Sequence, residues 1–579
     1  MSALSPVWTR ENECQDCYKC VRHCPVKAIR VTGGKAAVIP EACVACGACV
    51  KVCPARAKQI RNDIPRLRSL LASGARLYAS VAPSFAGYFK GVSIERLAGA
   101  LKKLGFEGVS ETAHGAEAVS AEVARILRET DNRVVISSAC PAAVNLIRKY
   151  KSEWTEYISK APSPVRAHCR LLKKRYGADV KVVFFGPCAA KKSEADEHPD
   201  ELELAVVFPK LEDLFAEKKI DPATEAESEL ALGPAAEGRF YSVEGGMNDT
   251  LRDGADDVRY ISVSSLGALR RILNVPVPQK SRRKIFIEAL ACGGGCVNGP
   301  AMPEEGSRLS AILETDNASG LCASAARGIE TSGGDEYRAE PVEPEEYPEN
   351  LVKAALARTG KTAKSDELNC GACGYRTCRE FAKALIEGKA EEAMCHTFLK
   401  QNFARKSNAL IKYIPAALVI VDENLKVVEC NRNFAQLADA AEVFDAVGGL
   451  DGAELQTLVP EIADLMKGAI LHGSEVEQYS RSIRNRIANV SVFPIATGQA
   501  AGAVIQDVTQ NEFHRQEIAQ KAREVIRRNV RTVQEVARLF GEHIAQSEIM
   551  LNEIAGVYKS ETRGVSMMGA TDEEAYLNG

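Results

Sequence analysis

The segment EALACGGGCVNGP (residues 288–300) runs from an apolar stretch into a glycine-rich turn that carries Cys292 and Cys296. Two other segments have the same form, SSACPAAV with Cys140 and FFGPCAAKKSE with Cys188. In each segment the cysteine stands where an apolar run ends in small residues, proline or glycine. Open α/β folds place their sites at such strand ends. The three segments therefore predict that thiolates from distant parts of the chain could enclose one iron–sulfur cubane.

The block that contains these segments, roughly residues 76–310, alternates short apolar runs with amphipathic helical patterns. RLYASVAP is followed by IERLAGALKKLGF, and RVVISSACP and VKVVFFGPC come later. Strand-like runs separated by helical patterns are typical of parallel α/β layers. A length of 579 residues also exceeds one hydrophobic core, and about three to five domains are expected.

Nineteen cysteines are the most unusual feature of the composition, and most lie in tight CxxC groups. The N-terminal residues lack the apolar run of a signal peptide, and no uncharged stretch reaches about 18 residues. We therefore expect a cytoplasmic protein, whose reduced thiols bind metal rather than form disulfides. So many clusters indicate an anaerobic cell. A net charge of −3 gives no reason to expect nucleic acid or a membrane as partner.

The first cysteine group is an internal repeat, since CQDCYKCVRHCP returns 29 residues later as CVACGACVKVCP. A C-x2-C-x2-C-x3-C-P run gives three ligands to one cluster and its fourth to the other. The repeat resembles a bacterial two-cluster ferredoxin. Two zinc knuckles are the alternative, but zinc sites use paired CxxC groups rather than crossed threes. The two predicted [4Fe–4S] ligand sets are Cys14, Cys17, Cys20 and Cys53, and Cys43, Cys46, Cys49 and Cys24.

The three segments of the α/β block match, in order, the TSCCP, PCxxKxxE and ExMACPGGCxxG motifs of [FeFe]-hydrogenases. The resemblance implies an H-cluster, which is a [4Fe–4S] cubane joined to a two-iron subsite with CO, cyanide and a dithiolate. It implies that Cys296 also bridges to that subsite and that Lys191 pairs with one cyanide. Pro83 and Ser84 of VAPSF match the family segment near the other cyanide. The implied cubane ligands are Cys140, Cys188, Cys292 and Cys296.

The sequence also departs from this family. Ala139 replaces the first cysteine of TSCCP, the thiol that passes protons in the family. General acid–base groups contribute about 10² to 10⁴ in rate, so slow turnover is expected. Glu122 and Ser159 stand at two positions of the family's proton path, but its outer glutamate is Val119 here. The remaining departures are Gly186 and Leu290 for two methionines and Gly293 for a proline.

Two alternatives remain for the α/β block. Ala139 could be drift in a working enzyme. The block could also hold a cubane alone, like the hydrogenase-related proteins of eukaryotic cluster assembly, although Lys191 and the Cys292 and Cys296 pair argue against this.

A compact group, CGACGYRTCREFAKALIEGKAEEAMC, follows a linker rich in Pro, Glu and Gly. It resembles the small four-cysteine [4Fe–4S] domain of anaerobic redox proteins, with zinc as the alternative. Its predicted ligands are Cys370, Cys373, Cys378 and Cys395. The cysteines without a partner nearby are expected to be buried thiols: Cys169, Cys322 and Cys430. His168 and His23 are expected to be structural.

YIPAALVIVDENLKVVECNRNFAQLA opens a small α+β module that resembles a PAS domain in its strand–turn–strand and Asn-x-x-Phe phrase. PAS domains bind haem, flavin, another small ligand or nothing. His472 is the only candidate for an axial haem ligand, and an exposed helix or loop position is the alternative. The helical segment that follows could pair with itself, dock a partner or pack on its own module. Its apolar seam comprises Ile526, Val530, Val533, Ala537, Phe540, Ile544, Leu551 and Ile554.

The predicted fold class is multidomain, α/β and α+β. The parts, in order, are a ferredoxin-like domain (1–62), an α/β hydrogenase H-cluster domain (63–330), a linker (331–360), a four-cysteine Fe–S domain (361–407), a PAS domain (408–512) and a C-terminal amphipathic helix with a tail (513–579).

Three functions follow from these features. The first is a sensory [FeFe]-hydrogenase that binds H2 with slow turnover and relays its redox state to the PAS domain, with a kinase or phosphatase as partner. The second is a catalytic hydrogenase that interconverts H2 and protons with ferredoxin as partner. The third is an electron-transfer or scaffold protein without the two-iron subsite. A homodimer is compatible with each.

Overall fold

The computed structural model describes residues 5–251, 257–277, 282–303, 309, 312–313, 334–342, 345–484, 486–509 and 524–539. It divides into two compact units, Met1–Leu399 and Lys400–Gly579. The first unit contains the N-terminal repeat, the three strand-end segments and the compact four-cysteine group, and the second contains the α+β module.

Helices and strands alternate through most of the first unit, as the sequence predicts. In chain order they are β1 (Val7–Thr9), α1 (Lys19–His23), β2 (Ile29–Thr32), β3 (Lys35–Val38), α2 (Ala48–Lys51), β4 (Lys58–Ile60), α3 (Ile64–Ala72), β5 (Leu77–Val81), α4 (Phe85–Tyr88), α5 (Ile94–Lys103), β6 (Gly108–Glu111), α6 (Ala113–Glu129), β7 (Val134–Ile136), α7 (Pro141–Tyr150), α8 (Pro164–Tyr176), β8 (Lys181–Gly186), α9 (Ala190–Glu197), β9 (Leu204–Val207), α10 (Phe208–Lys218), α11 (Gly246–Leu251), β10 (Val258–Ser264), α12 (Leu266–Ile272), β11 (Lys284–Leu290), α13 (Glu349–Arg358) and α14 (Cys378–Ile386). Helix α15 (His396–Tyr413) contains the boundary between the units.

Two parallel sheets form the α/β part of this unit. One has the order β6-β5-β8-β9 and the other the order β10-β11-β7. All five strand pairs are parallel. Every residue of β5, β6 and β9 is buried, because helices cover both faces of a parallel sheet. The predicted α/β layers are thus confirmed, and they are two separate sheets.

The helices of this layer follow from local sequence signals. Ser93 stands just before α5, and its Oγ accepts a hydrogen bond from the Arg96 N–H at 3.2 Å. Within α5, Ile94, Leu97 and Leu101 recur at helical spacing and are buried. A hydroxyl cap followed by an apolar stripe is the usual start of an amphipathic helix. The buried stripe joins the core around the first sheet.

The internal repeat near the N-terminus is visible in the backbone. β2 pairs antiparallel with β3, and β1 with β4, while α1 and α2 follow the two cysteine loops. Residues 29 positions apart share the left-handed conformation that lets a loop turn tightly. These pairs are Asp16 and Ala45, Tyr18 and Gly47, and Lys27 and Arg56.

The four-cysteine segment packs against this repeat. The Val31 N–H donates to the Lys389 carbonyl at 3.0 Å. The Gly34 N–H donates to Glu391 Oε2 at 3.2 Å. These bonds extend the edge of the β2–β3 hairpin and hold the two regions together.

The second unit is an α+β module, as predicted. Its elements are β12 (Ala417–Asp422), β13 (Val427–Cys430), α16 (Arg432–Leu437), α17 (Ala441–Val447), α18 (Leu455–Leu458), α19 (Ala463–His472), β14 (Val476–Ile483), β15 (Arg486–Ala496) and β16 (Ala500–Asp507). The strands form one antiparallel sheet of order β13-β12-β16-β15-β14.

The Asn-x-x-Phe phrase has a structural explanation. Asn431 Oδ1 accepts hydrogen bonds from the Phe434 N–H at 3.0 Å and the Leu418 N–H at 2.9 Å. Its Nδ2 donates to the Ala416 carbonyl at 2.7 Å. Asn431 therefore caps α16 and ties it to β12, while Phe434 enters the core.

A helix over residues 524–539 continues the second unit. Ile526 and Val533 of the predicted seam are buried, and Val533 packs with Ile411, Leu418 and Phe493 of the same unit. This part of the seam therefore packs on its own module. The rest of the seam, Phe540, Ile544, Leu551 and Ile554, lies outside the described residues, as does Cys322.

Among the described residues, no helix combines the length and apolar character that a membrane crossing requires.

Candidate metal centres

The cysteines of the three strand-end segments meet at one cavity. Cys140 lies between β7 and α7, Cys188 between β8 and α9, and Cys292 and Cys296 follow β11. All of them line one cavity, together with Cys46 of the N-terminal repeat. The strands concerned come from both parallel sheets, so the cavity lies where their carboxyl ends face each other. This is the position that parallel α/β folds use for their sites.

Burial dominates the electrostatics of these thiols. It raises the pKa of Cys188 to about 11, with Cys140 adding to the rise and Lys191 opposing it. The pKa of Cys292 and that of Cys296 are also raised, again first by burial and then by neighbouring cysteines. Buried thiols of this kind become thiolates when a cationic centre binds them. The donor set therefore fits an iron cluster.

Lys191 supplies a cation beside this cavity. Only 8% of its surface is exposed, and its Nζ donates to Glu194 Oε2 at 2.6 Å and to Ser163 Oγ at 3.0 Å. Its charge opposes the rise in the pKa of Cys188 and Cys296. A buried ammonium near a cysteine-lined cavity fits an anionic ligand.

Ser84 offers a second test of fit. It follows Pro83 in the turn between β5 and α4 and is fully buried. Its Oγ has no hydrogen-bond partner within the described part of the chain. A buried hydroxyl left unpaired costs about 1–3 kcal/mol, so such a group is usually satisfied by a bound molecule. The cyanide contact that the sequence resemblance implies for Ser84 stays a prediction.

The family departures have distinct surroundings. Ala139 is partly buried and packs against the core that contains Val119. A Cβ added at Gly186 would lie 2.4 Å from the Phe184 ring and 3.1 Å from Ala82 Cβ, so no larger side chain fits without a shift. At Gly293 an added Cβ would meet nothing within 4 Å. Gly186 is thus fixed by packing, and Gly293 is not.

The two residues predicted for a proton path make local hydrogen bonds. Glu122 accepts from Arg125 Nη2 at 2.7 Å on α6. Ser159 Oγ accepts from the Ala161 N–H at 3.2 Å. A proton role for either residue stays a prediction.

The N-terminal repeat brings its cysteines into two neighbourhoods. Cys24 lies within electrostatic range of Cys43, Cys46 and Cys49, although it belongs to the other half of the repeat. Cys20 lies near Cys17 and Cys14. The position of Cys24 agrees with one of the crossed ligand sets, while the place of Cys53 in the other set stays a prediction.

One of these neighbourhoods adjoins the strand-end cavity. Cys46 lines the cavity itself and lies near Cys140. The loop can approach this closely because Gly47 has φ +72°, and a Cβ there would lie 2.5 Å from Pro300 Cβ. A cluster on Cys46 would therefore be the nearer of the two to the strand-end cavity.

The compact group forms a cavity of its own. Its lining includes all four predicted ligands, Cys370, Cys373, Cys378 and Cys395, together with Lys361. The Cys378 N–H donates to Asn369 Oδ1 at 2.7 Å and so orders the loop before α14. Lys361 is the functional residue that the sequence analysis missed, because it lies nine positions before the first cysteine in a polar stretch without a motif.

Zinc was the alternative for two of the cysteine groups. Within the described residues, no three or more His, Cys, Asp or Glu side chains are arranged to hold a single metal ion. The choice of iron clusters over zinc for these groups stays a prediction at the level of the cavity geometry.

Among the described residues, the linings of the two cysteine cavities do not include His168, Cys169, Cys430 or His472, whereas His23 directly precedes Cys24 in the chain. His168 is completely buried and hydrogen-bonded to Ser80 Oγ at 2.8 Å and Ser110 Oγ at 3.0 Å. His23 Nδ1 contacts the Lys19 carbonyl at 2.9 Å. Cys169 and Cys430 are buried in apolar cores. His472 is exposed at the end of α19, which agrees with the simpler alternative for that residue.

The cysteine-lined cavities fit an iron–sulfur protein, and comparisons with known families give the same class. Residues 75–300 match the family model "Iron only hydrogenase large subunit, C-terminal domain". Residues 6–54 match a 4Fe-4S dicluster domain, and residues 366–396 match a small Fe-S cluster family. The chain thus carries an iron-only hydrogenase domain, a dicluster domain and a further Fe–S domain.

Individual proteins show the same likeness. The chain is 26% identical to iron hydrogenase 1 of Clostridium pasteurianum over 291 residues, 41% of this chain and 50% of that protein. It therefore spans about half the length of the curated relative it matches. A solved structure of a [FeFe]-hydrogenase in stepwise H-cluster assembly is 18% identical, with TM-score 0.37, and covers 45% of this chain and 88% of that one.

Two further solved structures are similar at low scores. A variant of the [FeFe]-hydrogenase HydA1 of Chlamydomonas reinhardtii is 17% identical over 45% of this chain and 88% of that one, with TM-score 0.37. The PAS domain of an HTR-like protein from Haloarcula marismortui is 11% identical over 19% of this chain and 95% of that one, with TM-score 0.16. At these scores no role is transferred from either.

Proposed function

We propose that the chain is a sensory [FeFe]-hydrogenase, in which H2 binding at an H-cluster changes the redox state of its clusters with slow turnover. The observation that carries this is the strand-end cavity, where cysteines from three distant segments meet beside buried Lys191. The hydrogenase family match over residues 75–300 supports the same chemistry.

The residues that would hold the H-cluster follow from the cavity. Cys140, Cys188, Cys292 and Cys296 would bind the cubane, and Cys296 would also reach the two-iron subsite. Lys191 and the unpaired hydroxyl of Ser84 would bind its cyanide ligands. When bound, the two-iron subsite supplies the chemistry by which H2 and protons with electrons interconvert.

The neighbouring side chain supports slow turnover. Ala139, next to Cys140, presents a methyl group where a proton-transferring thiol is expected. A methyl can neither accept nor donate a proton, so the direct route between the cavity and solvent is interrupted. A sensor tolerates this loss, because it needs a difference between two states rather than rapid cycling.

The chain also offers a route for electrons away from the cavity. Cys46 lines the cavity, and Cys24, in the same neighbourhood, lies near the four-cysteine region. We assign [4Fe–4S] clusters to the two ligand sets of the repeat and to Cys370, Cys373, Cys378 and Cys395. Helix α15 begins directly after Cys395, so the last cluster ligand is covalently adjacent to the segment that leads into the output module.

The second unit would be the output. Its mixed sheet-and-helix fold and capped Asn-x-x-Phe phrase support a PAS domain. A kinase or phosphatase would read its state in the cytoplasm of an anaerobic cell. A catalytic hydrogenase that uses ferredoxin is the second candidate, and the hydrogenase family match over residues 75–300 is compatible with it.

Infrared spectroscopy of the full chain, matured with a two-iron precursor under anaerobic conditions, tests the proposal. Bands of CO and cyanide that shift when H2 replaces argon are expected. The unmatured protein, treated identically, should show none. Absence of these bands after maturation would leave a multicluster electron carrier, and turnover at the rate of ordinary hydrogenases would favour the catalytic candidate.

A further inference from the structure

Lys361 is buried beside the four-cysteine cavity. It follows α13, and only 6% of its surface is exposed. Its Nζ donates to Cys395 Sγ at 3.0 Å, to the Thr359 carbonyl at 3.1 Å and to Thr359 Oγ1 at 3.3 Å. Three donors thus meet three acceptors, and the ammonium is fixed against one cysteine sulfur.

Cys395 is also approached by neutral donors. Thr397 Oγ1 lies 3.3 Å from its sulfur, and the Phe398 N–H contributes a hydrogen bond. The Cys395 sulfur is thus contacted by the Lys361 ammonium, the Thr397 hydroxyl and the Phe398 N–H. These donors would stabilise negative charge on a cluster bound through this sulfur.

The cysteines of the N-terminal repeat have a different electrostatic environment from that of Cys395. Cys49 is buried, and the side chains that act on it include Cys46, Cys24 and Cys43. Lys58 is a cation near this group, but its Nζ donates to Thr9 Oγ1 at 2.6 Å and to the Ala36 carbonyl at 2.7 Å. Lys58 therefore acts on these cysteines through space and donates to oxygen atoms, whereas Lys361 donates directly to a cysteine sulfur.

We propose that Lys361 is a positioning residue that raises the reduction potential of a [4Fe–4S] cluster bound by Cys370, Cys373, Cys378 and Cys395. Electrons that enter the chain of clusters therefore accumulate on this cluster. A reduced cluster carries one more negative charge than an oxidised cluster. A buried ammonium in contact with a ligand sulfur stabilises that extra charge. The inference rests on the cluster assignments of the proposed function and not on the two-iron subsite.

The neighbouring donor cluster is identified by contacts at the domain junction. Tyr375 is buried within electrostatic range of both Cys373 and Cys24. A Cβ added at Gly374 would lie 2.9 Å from Val21 Cγ1, so the loop touches the repeat closely. One electron would leave a reduced cluster on the Cys24 set and enter the oxidised four-cysteine cluster, with no bond broken and no proton moved.

A redox titration of the anaerobic full chain, followed by electron paramagnetic resonance, tests this proposal. Dithionite serves as the reductant. In the wild type, one cluster signal should develop at a higher potential than the others. In Lys361→Gln that signal alone should move to lower potential, by at least a tenfold change in the reduction equilibrium, which is about 59 mV for one electron.

Two matched variants separate charge from other effects. Lys364→Gln makes the same charge change at an exposed position three residues along the chain and should leave every potential unchanged. Lys361→Arg keeps the positive charge, so the potential of this cluster should stay close to that of the wild type. Iron analysis checks that each variant retains its clusters. An unshifted signal in Lys361→Gln at full iron content overturns the proposal.

A measurement on the wild type covers the case in which Lys361→Gln loses its cluster. Protein labelled with ¹⁵N-lysine should show a ¹⁵N hyperfine coupling on the signal of highest potential, and this coupling should vanish in Lys361→Arg. A coupling that is absent, or that belongs to a signal of low potential, overturns the proposal. Because none of these readouts uses H2 or diatomic ligands, failure here is distinguishable from failure of the sensory function.

Discussion

The strand-end cavity and the four-cysteine cavity each gather cysteines from one chain, but they are built in opposite ways. The first draws Cys140 and Cys296 together across 156 positions of sequence, and the second closes between Cys370 and Cys395, 25 positions apart. The first depends on the carboxyl ends of two parallel sheets, whereas the second depends on a loop and the helix after it.

Their electrostatics differ as well. In the first cavity the pKa of Cys296 is raised, and the nearby Lys191 is paired with the carboxylate of Glu194. In the second the pKa of Cys395 is lowered, and Lys361 donates directly to its sulfur. A carboxylate partner cancels most of the electrostatic field of an ammonium group. An ammonium group in direct contact with a sulfur instead exerts its full field on that sulfur. The two cavities therefore differ in how directly a lysine charge acts on a cysteine sulfur.

The largest effects should come from removing a ligand in each cavity. Cys296→Ser should abolish the CO and cyanide bands of the matured protein, because it removes the thiolate proposed to bridge to the two-iron subsite. Cys378→Ser should instead remove one paramagnetic cluster signal and leave the infrared bands intact. Infrared and paramagnetic spectra of both variants check this. Loss of both signals in either variant would mean that the cavities do not fold independently.

The next largest effect is expected from placing a proton-transferring thiol at position 139, and it concerns the rate of H2 turnover. Ala139→Cys places a thiol beside Cys140, and the rate of H2 turnover should rise by about 10² or more, within the range of general acid–base groups. Ala139→Ser is the matched control, since its hydroxyl is far less acidic and should give little gain. Rates are measured by H2 production with reduced ferredoxin or a viologen dye. Equal rates in all three proteins would show that proton transfer is not limiting.

Packing around the first cavity offers a test of intermediate size. Gly186→Ala would bring a methyl against the Phe184 ring and Ala82, whereas Gly293→Ala meets open space. Overpacking a core costs about 1–3 kcal/mol, so the first variant should melt earlier and the second should resemble the wild type. Thermal unfolding followed by circular dichroism checks this. Equal melting temperatures would mean that the Phe184 ring moves aside freely.

The sequence allowed much of this architecture to be predicted. The parallel α/β layers and the small α+β module could be read from apolar periodicity, because strands buried on both faces have nearly continuous apolar runs. The cysteines that line each cavity could be named because short motifs mark them. The close contact between the N-terminal repeat and the strand-end cavity could not be predicted in this way. Gly47 permits that contact, but a single glycine in a sequence is a weak signal.

Side-chain partners could not be predicted in the same way. Lys361 stands in a polar stretch, and nothing in its neighbourhood marks it as buried or in contact with sulfur. The unpaired hydroxyl of Ser84 is likewise a property of the packed turn, although the resemblance placed the residue near the site. Long-range contacts of this kind depend on how separate elements pack, which a single sequence records only through motifs.

The smallest effect concerns the core under the strand-end region, where the buried imidazole of His168 is held neutral. Its pKa is lowered to about 3 by burial and, less strongly, by His114, whose ring centre lies 6.3 Å away. The unfolded chain binds this proton near pH 6.5 and the folded chain does not, so stability falls as pH drops below that value and is unaffected above it. Between pH 6.5 and 5.5 the loss approaches about 1 kcal/mol.

His168→Gln should remove this pH dependence, because glutamine does not titrate. Urea unfolding of both proteins at pH 7.5, 6.5 and 5.5 measures it. The variant should be less stable at pH 7.5, having lost part of the bonding to Ser80 and Ser110, while its midpoint should fall less between pH 6.5 and 5.5 than that of the wild type. Parallel curves for the two proteins would mean that the imidazole gains a proton in the folded state. In that case the charged ring would need a carboxylate nearby, and Glu117 lies 3.8 Å from the neighbouring His114.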